Sequence, residues 1–370
     1  MNTPSRTPTA TPAARRQSRP ARPAPLRIGV LGCANIARQF VRDVAGSPAV
    51  KVVAVASRRA DSAAAFAQQL GIGRHHGSYE ALLADEGVDA IYLPLPNSLH
   101  AEWAIKACQA GKHVLCEKPL ALSLAQAQAM FKAADAHGVM LLEAYPYWFQ
   151  PQTGAMVGLL RSGAIGQVRT VQASFGFTLA KPDGNIRMAP DLGGGALLDA
   201  GSYPLSLIRL VMGDAPDEVL AQSSWAETGV DISTTATLQW ADGRRAQLSC
   251  AMDVANHRRA TIVGTGGTIE TEYLNHTSDR AVGHPHGYQP SQLRVRRGVA
   301  NTVPLETVPS ATGSGFRFAA EAFAKVVAEH DFVAVARATA ASLDIAATLE
   351  ALARSARTGK PVKVGGTGKR

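Results

Sequence analysis

The sequence of 370 residues predicts an α/β chain, with a doubly wound parallel sheet followed by an α+β domain that has a large open, mostly antiparallel sheet. Two observations lead to this fold class. Short apolar strands alternate with helices up to about residue 147, which is typical of a parallel sheet. Beyond residue 151 several segments alternate apolar with polar residues, as half-buried antiparallel strands do. The length and a hydrophobic fraction of 46% allow each domain its own core.

The first half can be followed element by element. Buried strands are expected at 27–31, 51–56, 89–93, 113–116 and 139–143, and helices at 35–44, 61–70, 99–110 and 124–137. This order predicts a Rossmann-type dinucleotide-binding domain over residues 26–148.

The second half, residues 149–370, is predicted to be the domain for substrate binding and oligomerisation. Antiparallel strands are expected at 168–177, 219–226, 233–240, 246–251, 260–263 and 293–295, with closing helices at 317–329 and 338–357. The glycines within 264–267 favour a hairpin turn over a phosphate loop. The stretch from His284 to His286 is interpreted as a loop, because it has no further ligands at a useful spacing, and no metal site is predicted.

Residues 1–25 differ in composition from the rest of the chain. They are rich in Pro, Ala, Ser and Thr, and they carry five arginines and no acid. Such a segment cannot bury enough apolar surface to fold, so a disordered basic tail is predicted. Of the formal net charge of +9, removing these five arginines leaves +4 for residues 26–370. The remaining charge and the absence of an aromatic-basic groove pattern argue against a nucleic-acid binder.

The sequence predicts neither a membrane span nor an export signal. No apolar run approaches the roughly 20 residues that cross a bilayer, so no membrane partner is expected. The pair Arg15-Arg16 is not followed by the apolar segment that an export signal needs. The four cysteines form no CxxC pair, which fits buried thiols in a reducing compartment and predicts a cytoplasmic protein.

The turn after the first strand resembles a phosphate-binding fingerprint. Gly32, Ala34 and Ala37 follow the spacing GxGxxG with alanine in the second and third places, and Asn35 and Ile36 open the next helix. Small residues let the backbone approach a pyrophosphate, and the helix N-terminus supplies amide donors. A purely structural turn is the alternative, but the place between a strand and a helix favours a cofactor.

The end of the second strand indicates which dinucleotide binds. An acid about 20 residues after the fingerprint normally binds the ribose 2′-hydroxyl. Here the chain has Ser57, Arg58 and Arg59 instead. A hydroxyl and two guanidinium groups suit a 2′-phosphate, so NADP is predicted and NAD is disfavoured. The alternative for one of the arginines is a solvated surface side chain.

A third group of candidates follows the strand at 89–93. Leu95, Asn97 and His100 come at the carboxyl edge, where ligands bind in such sheets. Asn97 is a candidate for contact with the cofactor or for capping the next helix. For His100, contact with the cofactor or substrate and a surface position are both open.

Acid–base candidates lie at two places far apart in the sequence. Glu117 and Lys118 stand at the end of the fourth predicted strand, and Asp199 and Tyr203 follow a run of glycines at 193–195. A spacing of four places the acid and the phenol on one helical face. Hydride leaving a carbinol carbon requires its proton to go to a positioned base, and a nearby cation lowers the pKa of a tyrosine. A solvated lysine, a helix cap and a packed phenol are the structural alternatives.

These motifs, together with Glu143-Ala144-Tyr145 and Asn185-Ile186-Arg187, resemble the glucose–fructose oxidoreductase, inositol dehydrogenase and rhizopine-catabolism (Gfo/Idh/MocA) family from about residue 26 to 364. The most similar branch holds glucose–fructose oxidoreductase, NADP-dependent xylose dehydrogenases and dimeric dihydrodiol dehydrogenases. In that branch the motif that corresponds to residues 199–203 ends in tyrosine, as at Tyr203. Inositol dehydrogenases have histidine at this place.

The resemblance implies hydride transfer between nicotinamide and a carbon bearing a hydroxyl or carbonyl on a sugar, cyclic polyol or diol. It implies that Lys118 sits against that oxygen and the cofactor ribose, that Tyr203 exchanges the proton, and that Asp199 orients the pair. Glu117 belongs to the cofactor-binding motif, and the Lys118–Pro119 bond is often cis in the family.

Two further residues are candidates for substrate binding through the resemblance. Arg187 is similar to a family arginine near the mouth of the active site. Trp148 stands where relatives have an arginine, so it is expected to stack on the nicotinamide or to reshape the pocket.

Other functions in the family remain open at this point. Some members bind NADP as regulators or sensors without turnover, and others are glycosidases that hold NAD tightly. The resemblance also implies a homodimer or homotetramer that is formed through the open sheet.

Overall fold

The computed structural model describes residues 24–272, 293–311 and 313–365. The first sheet has six parallel strands: β1 (Leu26–Leu31), β2 (Val50–Ala56), β3 (Arg74–His76), β4 (Ala90–Leu93), β5 (His113–Glu117) and β6 (Leu141–Ala144). The helices between them are α1 (Asn35–Val44), α2 (Ala60–Leu70), α3 (Tyr79–Leu83), α4 (His100–Gln109) and α5 (Leu124–Ala136). The strand order β3-β2-β1-β4-β5-β6 reverses direction between β1 and β4, where dinucleotides bind in such sheets.

The second sheet has nine strands: β7 (Val168–Thr178), β8 (Glu218–Trp225), β9 (Asp231–Gln239), β10 (Arg245–Ala251), β11 (Asp253–Gly264), β12 (Gly267–Thr271), β13 (Arg294–Arg297), β14 (Glu306–Thr307) and β15 (Val362–Lys363). Their order is β14-β13-β12-β11-β7-β10-β9-β8-β15. Only the central pair of β7 and β10 is parallel among these described strands.

Apart from short 3-10 helices, four α-helices and a π-helix complete the described elements. They are α6 (Pro151–Arg161), the π-helix (Leu197–Gly201), α7 (Ser202–Met212), α8 (Gly315–Glu329) and α9 (Phe332–Thr358). Helix α7 packs on β7, and α9 packs on β8, so one face of the nine-stranded sheet is covered by helices. The predicted fold class, a parallel Rossmann-type sheet plus a mostly antiparallel open sheet, is confirmed.

Several sequence predictions can be compared with these elements. The hairpin at 264–267 is confirmed, because β11 and β12 pair as antiparallel neighbours with Val263 opposite Thr268. Strand β11 begins seven residues earlier than predicted, in a polar stretch without apolar alternation. The short elements β3, α3, β14 and β15 had no periodic signal long enough to be recognised. Most of the predicted tail (residues 1–23) and the stretch from His284 to His286 lie outside the described residues.

The core of the first sheet includes residues from the far end of the chain. Phe316 and Phe323 on α8 are buried in the same cluster as Phe40 and Tyr92. The rings of Phe40 and Phe316 meet edge to face, with centroids 6.0 Å apart. Helix α8 therefore packs against the parallel sheet and helix α1.

Helix α9 is the one described helix that is long and apolar enough, by length and composition, to cross a membrane. Core helices of globular proteins can have the same length and composition. Its second half is largely buried, including Ile345, Leu349 and Leu352, and the helix contacts β8, α7 and α5. These contacts account for its apolar composition as core packing.

Candidate active site

The turn after β1 has the geometry of a phosphate-binding loop. Gly32 has φ +103°, and a Cβ at this position would lie 3.0 Å from Leu95 Cδ2, so only glycine fits without strain. Helix α1 begins at Asn35 without a side-chain cap and without an acid in its first turn. Its first amide groups are therefore open to an anion at the switch point of the sheet. Ala34 and Asn35 are exposed at this N-terminus, and Ile36 is partly buried.

The segment after β2 is polar and mostly exposed. Ser57 Oγ accepts a hydrogen bond from the Arg59 amide at 3.2 Å. The Arg59 guanidinium pairs with Asp61 at 3.0 Å, and both side chains are largely solvated. Arg58 is exposed beside the buried hydroxyl-bearing ring of Tyr79. Of the two arginines of this segment, only Arg59 forms an ion pair with a carboxylate of the described chain.

The segment after β4 differs in part from the sequence prediction. Asn97 Nδ2 donates to the Gly193 carbonyl at 2.8 Å, so the side chain links this loop to the glycine run and does not cap a helix. The side chain of Leu95 packs beside Gly32 at the dinucleotide turn.

His100 is fully buried, contrary to both alternatives from the sequence. Nδ1 lies 2.9 Å from the Pro119 carbonyl oxygen, and Nε2 lies 2.9 Å from the Leu95 carbonyl oxygen. Burial lowers the pKa of His100, whereas the two carbonyls favour a ring that donates from both nitrogens. The imidazole therefore bridges the loops after β4 and β5, and no cofactor or substrate can reach it in this arrangement.

Lys118 lies where β5 leaves the sheet. The Lys118–Pro119 bond is cis, as the family resemblance implied. Lys118 Nζ donates to Asp199 Oδ1 and to the Asp199 carbonyl oxygen, both at 2.9 Å. The same ammonium lies 4.8 Å from the ring centroid of Tyr203. The structure thus brings together the three residues that the sequence selected for acid–base chemistry.

Asp199 is held in its charged form by two cations. Its second carboxylate oxygen, Oδ2, accepts from Arg187 Nε at 2.6 Å. Burial would raise the pKa of Asp199, but the charges of Lys118 and Arg187 outweigh it and lower the pKa to about 2. Arg187 is therefore tied to the acid–base group, and its guanidinium is also 5.7 Å from the ring centroid of Phe177.

A second acid, Asp231, holds the start of the π-helix that carries Asp199. Asp231 Oδ2 accepts from the Leu197 amide at 2.7 Å and from Thr234 Oγ1 at 2.9 Å. Gly195 has φ +111°, and a Cβ there would lie 2.2 Å from Asp231 Oδ1. Glycine is required at position 195 because the backbone there approaches this buried carboxylate closely.

Glu117 is engaged inside the fold. Its Oε1 accepts from the Tyr92 hydroxyl at 2.6 Å, and Oε2 is 3.4 Å from the Lys118 amide nitrogen. Burial raises the pKa of this carboxyl. The carboxylate is therefore buried against Tyr92 and the start of the Lys118 segment, and the cofactor contact of Glu117 stays a prediction.

An aromatic wall surrounds Tyr203. Its ring meets Phe175 at 5.1 Å and Tyr145 at 5.6 Å between centroids. Trp148 lies on the outer side of this wall, 5.5 Å from Tyr145, and its Nε1 donates to the Tyr147 hydroxyl at 2.6 Å. Trp148 is partly buried, so it shapes the wall through Tyr145 and Tyr147.

Two family models match this chain. Residues 26–145 match the model described as "Oxidoreductase family, NAD-binding Rossmann fold", and residues 155–270 match the GFO/IDH/MocA C-terminal domain. The chain belongs to the Gfo/Idh/MocA family. The family resemblance that the sequence motifs indicated is therefore confirmed.

Three relatives of this Gfo/Idh/MocA chain show the range of its similarities. D-xylose 1-dehydrogenase (NADP(+)) 2 of Haloferax volcanii is 34% identical over 92% of this chain and 100% of its own length. Trans-1,2-dihydrobenzene-1,2-diol dehydrogenase of Xenopus tropicalis is 35% identical over 74% of this chain and 85% of its own. The crystal structure of KijD10, a 3-ketoreductase from Actinomadura kijaniata in complex with NADP and TDP-benzene, has a TM-score of 0.79 at 32% identity, covering 90% and 98% of the two chains.

Two buried acids of the site were not recognised as functional from the sequence. Asp231 follows a turn and precedes Thr234 by three residues, a pattern that also suits an ordinary surface turn. Glu143 was noted only as part of a motif. Its Oε1 accepts from the Leu120 amide at 2.9 Å, and its Oε2 accepts from Ser342 Oγ at 2.6 Å. Glu143 thus joins the segment after Lys118 to helix α9.

Burial raises the pKa of Glu143 to about 7, from an ordinary value of 4.5. The folded protein therefore holds a proton on this carboxyl between pH 4.5 and 7 that the unfolded chain has released, so the contribution of Glu143 to stability falls as the pH rises through this window. We expect Glu143→Gln, which keeps an acceptor for Leu120, to remove that part of the pH dependence. The measurement is the free energy of urea unfolding from pH 4.5 to 8. Glu227→Gln, at an exposed turn, serves as the control, and a wild-type slope in Glu143→Gln would contradict the assignment.

Proposed function

We propose that this protein is an NADP-dependent oxidoreductase that transfers a hydride between nicotinamide and a hydroxyl or carbonyl carbon of a sugar, cyclic polyol or trans-diol. One observation carries the proposal. Lys118 Nζ binds Asp199 and lies over the Tyr203 ring, at the carboxyl edge of a parallel sheet with an open phosphate-binding turn. This arrangement suits proton transfer beside a dinucleotide.

The chemistry of each residue follows from its charge and place. The nicotinamide, when bound, accepts or supplies the hydride. Tyr203 takes the hydroxyl proton in the oxidation direction and returns it in the reduction direction. Lys118 stabilises the negative charge that develops on the phenol oxygen or the substrate oxygen. Asp199 stays ionised because Lys118 and Arg187 lower its pKa, and it holds the Lys118 ammonium in place.

The cofactor proposal rests on the segment after β2 and on the relatives. An NAD enzyme has an acid for the ribose 2′-hydroxyl where this chain has Ser57, Arg58 and Arg59. The nearby carboxylate of Asp61 forms an ion pair with Arg59. The xylose dehydrogenase of Haloferax volcanii is named for NADP, and KijD10 was crystallised with it. We therefore propose NADP as the cofactor of this chain, with Arg58 facing the 2′-phosphate.

The substrate proposal rests on the pocket walls and on the same relatives, which act on a sugar, a diol and a keto substrate by their names. Trp148 and Arg187 shape two sides of the region around Tyr203, through Tyr145 and through Asp199.

All four cysteines are free thiols, which is consistent with the reducing environment of a cytoplasmic enzyme.

Loss of the acid–base pair should separate turnover from cofactor binding. We expect Lys118→Ala and Tyr203→Phe each to lower kcat by about 100- to 10,000-fold, because each removes one partner of the proton transfer. Steady-state rates with a panel of sugars, inositols and diols, followed by NADPH absorbance, measure this effect. Lys106→Ala, at an exposed ion pair on α4, is the control. Full activity in either variant would refute the mechanism, and NADP binding with no turnover of any panel member would favour a sensor.

Removal of Arg58 should distinguish the two dinucleotides. Arg58→Ala removes a charged hydrogen bond worth about 1.5–3 kcal/mol, so we expect NADP to bind about 10- to 100-fold more weakly while the affinity for NAD changes little. Fluorescence titration with both dinucleotides measures the two affinities. Arg42→Ala, on the exposed side of α1, is the matched control. Tighter binding of NAD than of NADP by the wild type would overturn the cofactor proposal.

We also propose that two copies associate through the open face of the nine-stranded sheet, as a homodimer or as half of a homotetramer. This face lies opposite the helices, and its residues are mainly polar and uncovered: Gln172, Ser174, Gln222, Thr235, Thr237, Gln247, Ser249 and Thr261. Leu220 is 38% exposed on the same face. A broad flat sheet surface suits pairing with its own copy.

The mass in solution checks this interface. We expect a dimer or tetramer by light scattering, and we expect Gln247→Lys, which places a charge in the middle of the face, to shift the mass towards the monomer. Gln68→Lys, on the exposed side of α2, should leave the mass unchanged. A monomeric wild type would refute the proposal.

A further inference from the structure

An arginine occupies the helix-covered face of the second sheet near Tyr203. Arg258 on β11 pairs with Phe175 on β7, Arg259 pairs with Ser174, and Ala260 pairs with Ala173. Because side chains alternate along a strand, Arg258 points to the same face as buried Ala260. That face packs against α7, which carries Tyr203. Its neighbour Arg259 points to the opposite, open face.

The rings around Arg258 connect it to the acid–base group. Its Cζ lies 5.0 Å from the ring centroid of Phe175, which is 5.1 Å from the ring of Tyr203. Phe177, two residues further along β7, is 6.1 Å from Phe175. The cation of Arg258 is therefore one aromatic ring away from the residue that exchanges the proton.

Arg258 differs from the arginines beside it in its partners. Arg187 is paired with Asp199, and Arg259 is paired with Glu272 at 3.3 Å. No carboxylate within the described parts of the chain lies within 4.0 Å of Arg258, and its recorded contact is the face of Phe175. A half-buried guanidinium gains from an anion that completes its hydrogen bonds.

We propose that Arg258 forms an oxyanion subsite of the substrate pocket, which binds a carboxylate or phosphate group of the sugar substrate. Phe177, which is partly exposed, provides apolar surface for the body of the sugar, with the anion at Arg258 and the reacting carbon at Tyr203. This inference rests on the proposed function for the position of the reacting carbon. It makes an acidic or phosphorylated sugar a better substrate than its neutral counterpart.

The test compares neutral and anionic probes of the same ring. D-glucose, D-glucuronate and D-glucose 6-phosphate are titrated calorimetrically into the NADP-saturated protein, and NADPH formation is followed in parallel. The wild type is compared with Arg258→Met, which keeps the apolar stem over Phe175, and with Arg258→Lys, which keeps the charge. Arg259→Met is the matched control, because it removes the adjacent arginine from the other face. The thermal midpoint and the NADP affinity of each variant verify that it is folded.

We expect the wild type to bind at least one anionic probe about 10- to 100-fold more tightly than D-glucose, as a charged hydrogen bond predicts. Arg258→Met should lose this preference, Arg258→Lys should retain part of it, and Arg259→Met should retain all of it. A stronger effect with D-glucuronate identifies a carboxylate, and a stronger effect with D-glucose 6-phosphate identifies a phosphate.

Two results would overturn the subsite: no preference for either anion in the wild type, or a full preference in Arg258→Met. Failure of the subsite and failure of the proposed function can be distinguished. An Arg258-dependent preference without turnover of any probe leaves the subsite standing and counts against the oxidoreductase. Turnover without such a preference supports the oxidoreductase and counts against the subsite.

Discussion

The contact between Lys118 and Asp199 is the interaction on which the geometry of the site depends. It joins the end of β5 in the parallel sheet to the π-helix beside the antiparallel sheet, through two hydrogen bonds of 2.9 Å. Arg187 holds the other carboxylate oxygen of Asp199, and Asp231 holds the start of the π-helix. Neither half of the chain alone contains all three of Lys118, Asp199 and Tyr203, so this cluster exists only when both halves are packed together.

Buried polar side chains hold the loops that carry this contact. His100 bridges the loops after β4 and β5, and Glu143 ties the segment after Lys118 to α9. Buried ionisable groups cost stability unless their partners are well placed, and they tend to be found where a protein needs defined geometry. The side chains of His100, Glu117 and Glu143 thus hold the segment that carries Lys118.

Local patterns in the sequence predicted the fold class and selected Lys118, Asp199 and Tyr203, which the structure brings together. Strand periodicity, the turn at Gly32 and the positions of Lys118, Asp199 and Tyr203 depend on short stretches of chain, which can be interpreted directly. The partners of His100 and Glu143 could not be predicted in this way. Ser342 is 199 residues from Glu143, and both acceptors of His100 are backbone atoms that no side-chain pattern marks. The position of Arg258 could not be predicted from the sequence either, because the register of β11 against β7 decides which residues its side chain contacts.

Phe316 and Phe323 of helix α8 are buried in the same core cluster as Phe40 and Tyr92 of the first half of the chain. The ribosome completes the parallel strands with Ala144 but does not complete α8 until Glu329. At roughly 5 to 20 residues per second, this interval lasts about 10 to 40 seconds. During synthesis the part of the first core that α8 covers in the finished protein is therefore uncovered for that time, and it is the stage at which the chain exposes most aromatic surface to aggregation.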